Sequence, residues 1–586
     1  MSQEAVEFDY DLDNQVQKNE YPCQSIDYVK INDSNTNNYS NGVISFNGVK
    51  TSGTDVNIQY SISKGTLSFP YTIVQDISAA SFTSDGTNIV PDNRFACSVK
   101  SYHNMIESCS IKMGSTSLNE KLDNLNIIIG ENLKRMSQEE RLLYGSKMNY
   151  ELDSASSYRY NSNFGEYNNV VRPSANANGK VDDINTGHMR RMLATNNYLG
   201  ANSTDSLATL VGQMAMSDSL QPCMISNTPT QLVFTGIAVI PLCEIHDCFK
   251  QTPSMSKIEQ LTLLVNTNLA TSNSWTTVYS GGAQTTGVSY GVSGLIATQS
   301  YGSTCPVLLS NCGSASATGA NASSLFGLTV YPNNANTPFR IKTTCKIGYM
   351  LSSGSYSGQT CQLSIPSYNM NPDYASKILE KGLHRMLYNE HASTWLLKLQ
   401  TNGSVITKPI QGLFQRPRKL YVFPFLSKSN TVTAIDGNNS MVSPFQSPVS
   451  SAPLTCTPCR LYDCNIKIGQ KNIFDESLKY SHEFYDEHVL ESLGKINGNS
   501  IKSPFMTGLV DKSMWDRCYQ VYVFNLSRSM NELIDNDTKE IYFSCKILGQ
   551  TGLYYDLLCV VEHQKETNLD RASGLFSLST DIPSSK

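Results

Sequence analysis

The chain contains a faint internal repeat, and this repeat limits its possible folds more than any other feature. Residues 109–114 read Cys-Ser-Ile-Lys-Met-Gly, and residues 464–469 read Cys-Asn-Ile-Lys-Ile-Gly, 355 residues further on. After a slip of one residue, Glu120-Lys121-Leu122 matches Glu476-Ser477-Leu478. Two β-rich domains of one kind are therefore expected in tandem, each within the size range of a large β-sandwich.

Short runs of alternating apolar and polar residues predict many strands. The clearest runs are residues 71–74, 110–113, 231–240, 261–265, 464–468, 541–545 and 554–561. Few helical patterns lie between them. We predict an all-β fold of two tandem jelly-roll domains, which are antiparallel β-sandwiches, with a few short helices and long inserted loops.

The composition divides the chain into five predicted segments. Residues 1–57 are rich in Asn, Asp and Ser and predict an N-terminal arm, extended or disordered. A first jelly roll is expected over 58–370, with a Gly- and Ser-rich functional insertion at 271–324. Asn371-Pro372-Asp373 is typical of a helix start, and we predict a linking helix over 371–394. The second jelly roll then covers 395–567, and a Ser-rich, loosely held tail covers 568–586.

Charge and hydropathy exclude several classes of protein. Charged residues make up only 16% of the chain, against about 25% in a typical soluble domain. The 31 tyrosines and the uncharged polar surface suit close packing against neighbouring molecules. A net charge of −5 does not favour strong direct binding to nucleic acid. The N-terminal residues lack a signal-peptide pattern, so we expect no secretion. The longest nearly apolar stretch, 233–242, is about half the length that a bilayer requires, so no membrane span is expected.

Enzyme motifs are weak. Gly287-Val288-Ser289-Tyr290-Gly291 matches the G-x-S-x-G nucleophile elbow, but no helical pattern follows it, as that elbow requires. Phosphate-binding glycine motifs are absent. The basic pair Arg190-Arg191, with Arg172 upstream, has the character of ordinary surface charge. We therefore predict that the chain is not an enzyme, and we assign no catalytic residue and no cofactor-binding residue.

Two groups of cysteine and histidine imitate metal sites. Cys456 and Cys459, with His482 and His488 downstream, resemble a zinc layout, but the gap between the pairs is too long for a compact finger. Residues 243–248 read Cys-Glu-Ile-His-Asp-Cys, but no second pair of ligands is evident. We predict that both groups are structural and that no metal is bound. The 16 cysteines are expected to be reduced thiols in a chain without a signal peptide.

Two stretches resemble a known family. Residues 240–249, Ile-Pro-Leu-Cys-Glu-Ile-His-Asp-Cys-Phe, followed by Pro253 and the strand at 261–265, are similar to the end of the first jelly roll in major capsid proteins of virophages and polinton-like (adintovirus-like) DNA viruses. Residues 522–528, Tyr-Val-Phe-Asn-Leu-Ser-Arg, resemble the aromatic strand and Leu-Ser-Arg turn of their second jelly roll. The architectural resemblance covers about residues 60–565.

The resemblance implies a structural role in a virion. It implies a homotrimer with a pseudo-hexagonal outline, the capsomer, which tiles an icosahedral shell around double-stranded DNA. It also implies contacts with neighbouring capsomers and with penton and minor or cement capsid proteins, and long loops such as 271–324 on the outside. Two rivals share the strand pattern, a glycan-binding adhesion protein and a β-sandwich glycoside hydrolase. Neither rival needs two matched barrels, so the repeat favours the capsid interpretation.

Overall fold

Two antiparallel β-sandwiches follow one another along the chain in this computed structural model. The structure describes residues 22–36, 38–49, 57–78, 80–81, 97–99, 101–114, 116–134, 147–150, 159–160, 167–168, 194–195, 222–225, 231–253, 255–257, 260–270, 274–279, 307–309, 323–325, 328–332, 339–350, 356–357, 361–401, 403–427, 459–493, 512–517, 520–526, 539–549, 551–574 and 576–578.

The described strands, numbered in chain order, are β1 Cys23–Asn32, β2 Val43–Val49, β3 Ile58–Tyr60, β4 Thr66–Ser78, β5 Ala80–Ser81, β6 Cys97–Val99, β7 Ile106–Met113, β8 Thr116–Asp123, β9 Arg159–Tyr160, β10 Tyr167–Asn168, β11 Ala194–Thr195, β12 Pro222–Ile225, β13 Gln231–Pro241, β14 Leu261–Thr267, β15 Ser274–Tyr279, β16 Val307–Leu309, β17 Ser323–Leu325, β18 Leu328–Pro332, β19 Phe339–Ile347, β20 Tyr349–Met350, β21 Tyr356–Ser357, β22 Gln362–Met370, β23 Leu383–Gln400, β24 Ile406–Phe414, β25 Pro417–Leu426, β26 Arg460–Ile468, β27 Lys471–Asn472, β28 Tyr522–Asn525, β29 Lys539–Leu548, β30 Tyr554–Asp570 and β31 Phe576–Leu578. The described α-helices are α1 Leu125–Lys134, α2 Leu242–Ile245, α3 Asp247–Gln251, α4 Pro372–Glu380, α5 Ser481–Leu493 and α6 Lys512–Arg517, and a 3-10 turn covers Tyr102–Met105.

The two sandwiches share one strand order. The first contains the sheets β1-β22-β4-β13 and β2-β14-β7-β8, and the second contains β23-β30-β25-β28 and β24-β29-β26-β27. Numbered one to eight within each sandwich, the strands pair as 1-8-3-6 and 2-7-4-5 in both. This is the eight-stranded, double Greek-key order of a jelly roll. The predicted all-β fold with two tandem jelly rolls is confirmed.

The sequence repeat marks equivalent positions in the two sandwiches. β7 and β26 are each the fourth strand of their jelly roll. Cys109 pairs with Leu122, and Cys464 forms the matching bridge with Leu478. The one-residue slip in the alignment therefore corresponds to a real difference in the turn that follows each strand. Both cysteines are buried, which explains why a small apolar residue recurs there.

Each sandwich has its own hydrophobic core, built from the inward residues of alternating strands. In β4 the inward side chains of Leu67, Phe69 and Tyr71 belong to the first core, which we call core 1. In β29 the side chains of Ile541 and Phe543 belong to the second, core 2. Two strongly apolar cores are what a chain of this length is expected to form.

The prediction of an N-terminal arm over 1–57 is wrong for its described part. β1 pairs with β22 and β2 pairs with β14, so these strands are the first two of the first jelly roll. Ile44 and Phe46 alternate into core 1. This period-two pattern decides the structure, because burial of two large side chains outweighs the polar composition around them. Residues 1–21 lie outside the described part of the chain.

The predicted linking helix is too long. Helix α4 ends at Glu380, and residues 383–394 belong to strand β23 instead. Gly382 has a φ of 63°, and its N–H bonds to the carbonyl of Leu379, as in a glycine-terminated helix. The apolar residues beyond it, such as Met386 and Tyr388, follow the period of a strand and pair with β30. Pairing with a long neighbour therefore overrides the helical spacing.

The predicted loose tail over 568–586 is also partly wrong. Strand β30 continues to Asp570, and β31 pairs with it. Phe576 of β31 is buried in core 1. Of the predicted insertion at 271–324, the structure describes only short segments. β15 pairs with β19, β16 pairs with β6, and β17 pairs with β18.

Candidate functional site at the junction of the sandwiches

A long ribbon of two strands joins the two cores. β23 and β30 pair from Leu383 and Asp570 to Gln400 and Tyr554. At one end the side chains of Met386 and Tyr388 are buried in core 1. Further along, Leu396 is buried in core 2. The second sandwich thus extends its edge strands into the first, and the crossing point lies where the two cores meet.

Helix α1 forms a second connection between the sandwiches. Its residues Leu125, Ile129 and Leu133 recur every four positions and are buried in core 1. Ile127 and Ile128 face the other way and pack against the outer side of the second sandwich, where they form a separate apolar cluster. That cluster also contains Tyr421, Phe423, Phe425, Val521, Val523, Leu558 and Val560. One helix is therefore shared by both halves of the molecule.

A buried carboxylate marks the crossing point of the ribbon. Glu390 of β23 forms an ion pair with Lys565 of β30, and its Oε2 lies 3.3 Å from Nε2 of His563. Burial opposes the charge of Glu390, but hydrogen bonds from His563 and Lys565 outweigh it and lower the pKa of the carboxyl group. Removing one partner would leave a charge buried without compensation, which is costly.

A second carboxylate lies on the opposite face of the same ribbon, toward α1. Glu562 accepts a hydrogen bond of 3.0 Å from the hydroxyl of Tyr421. Its carboxylate oxygens also lie 3.5 Å from Nε2 of His391 and 3.9 Å from Nζ of Lys419. A cavity of about 10 Å³ next to this group, lined in part by His391 and Ile128, has room for about one water molecule. The geometry suits a structural polar network, not a substrate site.

His246 contributes a titratable group from the first sandwich. It lies between α2 and α3, and its Nδ1 accepts a 3.0 Å hydrogen bond from the backbone N–H of Cys248, so it caps α3. Its ring lies 5.5 Å from the ring of Tyr388, centroid to centroid. Burial lowers the pKa of His246 to about 4, although nearby Glu390 acts in the opposite direction. The imidazole is therefore neutral at neutral pH.

The structure separates the members of the first candidate zinc layout. Cys459 is buried in core 2, whereas His482 is exposed on α5 and stacks on Tyr480. Cys456 and the side chain of His488 lie outside the described residues, as do the G-x-S-x-G match at 287–291 and the arginines at 172, 190 and 191.

The second cysteine and histidine group is likewise dispersed. Cys248 is buried in core 1, while Cys243 lies beside the carboxylate of Glu244, 3.9 Å away. Glu244 in turn lies 3.6 Å from Nζ of Lys250. Across the described ranges, no cluster of three or more potential ligands could hold a metal ion, and no helix has the length and apolar character of a membrane span. Ten cysteines have side chains that the structure describes; all ten are free thiols, and eight of them are buried.

Sequence reasoning did not find the polar groups of the junction. Glu390 and Glu562 are isolated carboxylates in alternating strands, and no local motif distinguishes them from surface residues. Only the pairing of β23 with β30 places Glu390 beside His563. The one available signal is the interruption of an apolar strand face by a charged residue at position 390.

Strand order, two cores and the shared ribbon together define a double jelly-roll protein. Among solved structures, the chain is similar to a chain in the 3.5 Å cryo-EM structure of the Sputnik virophage, with a TM-score of 0.51 and 11% identity over 98% of this chain and 92% of that one. This likeness supports the double jelly-roll fold of the chain.

Two further solved structures are similar at lower scores. The mavirus major capsid protein is 12% identical, with a TM-score of 0.44 over 97% of this chain and 93% of that chain. The Faustovirus major capsid protein is 9% identical, with a TM-score of 0.43 over 96% and 93%. No protein-family model and no curated protein matches the sequence.

Proposed function

We propose that this chain is a major capsid protein, a structural component of a virion. The observation that carries the proposal is that one chain contains two jelly rolls of identical strand order, in the fold of a virophage chain. An icosahedral lattice needs mostly six-coordinated positions. Three copies of a two-barrel chain supply six similar wedges, so a closed trimer fits such a position.

The low charge and the 31 tyrosines support this role, since both suit extensive contact with neighbouring molecules. The proposed assembly is a homotrimeric, pseudo-hexameric capsomer around a double-stranded DNA genome. Its partners are neighbouring capsomers and penton and minor or cement capsid proteins. With a net charge of −5, the chain does not condense the genome by itself. No catalytic role is assigned to it.

The same proposal divides the chain into two jelly-roll domains and a linking helix. The first jelly roll begins at β1 and ends with β22, α4 links the two, and the second runs from β23 to β31. The insertion at 271–324 belongs to the outward surface of the capsomer. This placement rests on the length and composition of the insertion.

Native mass tests the proposal most directly. We expect light scattering of the purified chain to give a mass of about three times 64.7 kDa, or 194 kDa. Negative-stain images of the same fraction should show a hexagonal outline. A monomer that binds glycans on an array would contradict the proposal and favour the adhesion protein. A monomer that releases sugars from polysaccharides would instead favour the hydrolase.

A further inference from the structure

We propose that the junction is an acid-operated hinge, in which protonation of His246 removes the cap of α3, loosens α3 from β23 and frees the ribbon that joins the two sandwiches. The hinge does not depend on the capsid role, because it is a property of the single chain.

His246 can cap α3 only while its Nδ1 carries no proton. Its Nδ1 accepts from the N–H of Cys248 at 3.0 Å, so the proton of the neutral ring is on Nε2. A second proton must enter at Nδ1, where it would face the N–H of Cys248. Two donors cannot share that position. The protonated ring must therefore leave the cap of α3.

The surroundings of the His246 ring are apolar and do not stabilise a positive charge. His246 is buried, with the rings of Phe249 and Tyr388 at centroid distances of 6.4 Å and 5.5 Å. Its Nε2 has no hydrogen-bond partner among the described residues, and neither does the hydroxyl of Tyr388. An imidazolium ion in this place would lack the polar contacts that a buried charge requires.

The charged groups of the ribbon near His246 do not stabilise a proton on its ring. Glu390 of β23 attracts a proton on the ring, whereas His391 of β23 and Lys565 of β30 repel it. Glu390 is itself engaged by Lys565 and His563. On its own segment, His246 is followed by Asp247, whose carboxylate accepts a hydrogen bond from the ribbon.

A hydrogen bond ties α3 directly to the ribbon. Oδ2 of Asp247, the first residue of α3, accepts a 2.9 Å hydrogen bond from the backbone N–H of Asn389 in β23. Asn389 lies between Tyr388, whose side chain contacts His246, and Glu390, which marks the crossing point. When the cap at His246 is lost, Asp247 loses the position from which it holds β23. The release is therefore transmitted to the place where the two cores meet.

The direction of the pH effect follows from linkage. The pKa of His246 is about 4 in the closed state, below the 6.5 of an exposed imidazole, so the closed state disfavours the proton. The junction is fully stable above pH 6.5 and loses stability as the pH falls from 6.5 toward 4. With these two pKa values, the equilibrium constant for opening of the junction is expected to be about 30-fold larger at pH 5 than at pH 7.5. Glu390, with its lowered pKa, remains charged at pH 5.

Hydrogen exchange of the full chain tests the hinge, with rates corrected for the intrinsic effect of pH. Peptides covering 242–251 and 386–392 should lose about 30-fold protection at pH 5 relative to pH 7.5. Peptides from β26 and β29 in core 2 should remain protected. In His246→Asn, the amide oxygen can accept from the N–H of Cys248 and does not titrate, so we expect less than about a threefold change. His482→Asn, at an exposed histidine, should behave as the unmodified chain.

Three results would overturn the proposal. One is acid opening in His246→Asn equal to that of the unmodified chain. Another is loss of protection that is equal in the junction and in core 2, which would indicate global acid unfolding. The third needs no variant: in the unmodified chain, an opening that begins only below pH 4.5 would assign the effect to carboxyl groups and not to His246.

Discussion

A single glycine closes the turn after the fourth strand in each jelly roll. Gly114 and Gly469 have φ values of 60° and 58°, in the left-handed region that favours glycine. The N–H of Gly114 bonds to the carbonyl of Gln260 at 2.7 Å, and that of Gly469 bonds to the carbonyl of Glu540 at 2.9 Å. Gln260 precedes the seventh strand of its sandwich and Glu540 lies within it. The repeat therefore preserves a backbone conformation as well as two core residues.

The substitution Gly469→Ala isolates the cost of this conformation. An added Cβ would meet no atom within 4 Å, so any loss of stability comes from the backbone and not from a clash. We expect a loss of about 1 kcal/mol, and a smaller loss for Gly469→Asn, because Asn tolerates the left-handed region. Urea unfolding of both variants measures the difference. Equal midpoints for Gly469→Ala and the unmodified chain would disprove this explanation of the repeat.

At the residue scale, the sequence predicts contacts between residues that lie close together in the chain and misses contacts between residues that lie far apart in it. Cys464 and Leu478 could be matched to Cys109 and Leu122 because each pair lies within 14 residues of chain. His246 and Glu390 could not be associated, because they are far apart in the chain and only the packing of β23 against the first sandwich brings them together. Their chemistry depends on packing that no spacing of residues reveals.

At the level of secondary-structure elements, errors arose where composition and periodicity disagree. Residues 43–49 are set among Asn, Ser and Gly, yet Ile44 and Phe46 alternate as a half-buried strand requires. Residues 372–387 show the opposite problem, since apolar residues at helical spacing continue past Gly382. A local signal for the correct structure was present in both segments. It was the alternation of Ile44 and Phe46 in the first and the helix-ending Gly382 in the second. Pairing with distant strands then decided the structure.

Strand β31 shows how a short element can stabilise a distant core. It has three residues, but Phe576 is buried in core 1 and its carbonyl accepts a 2.7 Å hydrogen bond from the hydroxyl of Thr116. We expect Phe576→Ala to cost about 3–5 kcal/mol, the usual loss for a buried phenylalanine. The exposed neighbour Ser577 is the control, and Ser577→Ala should change stability by less than about 0.5 kcal/mol.

Hydrogen exchange shows where in the molecule Phe576→Ala lowers stability. Because Phe576 belongs to core 1, Phe576→Ala should reduce protection in β4 and β7 more than in β26 and β29. A uniform loss across both sandwiches, or no loss in core 1, would show that β31 does not close the first jelly roll.

At the scale of the whole molecule, the junction decides whether two sandwiches behave as one body. Interfaces between domains of one chain are usually modest and polar, and relative motion is then expected. Here the interface includes an apolar cluster around α1, a ribbon common to both cores and a buried ion pair at Glu390. Such continuity predicts that the two sandwiches unfold together at neutral pH.

Helix α1 allows this coupling to be separated from the stability of core 1. Ile128 packs against the second sandwich, while Ile129, the next residue on the same helix, is buried in core 1. Ile128→Ala should remove about 2–5 kcal/mol from the junction alone and split a single calorimetric transition into two. Ile129→Ala carries the same chemical change but should lower the unfolding temperature without splitting the transition. If both variants unfold in one step, the apolar cluster does not couple the sandwiches, and the ribbon alone must hold them together.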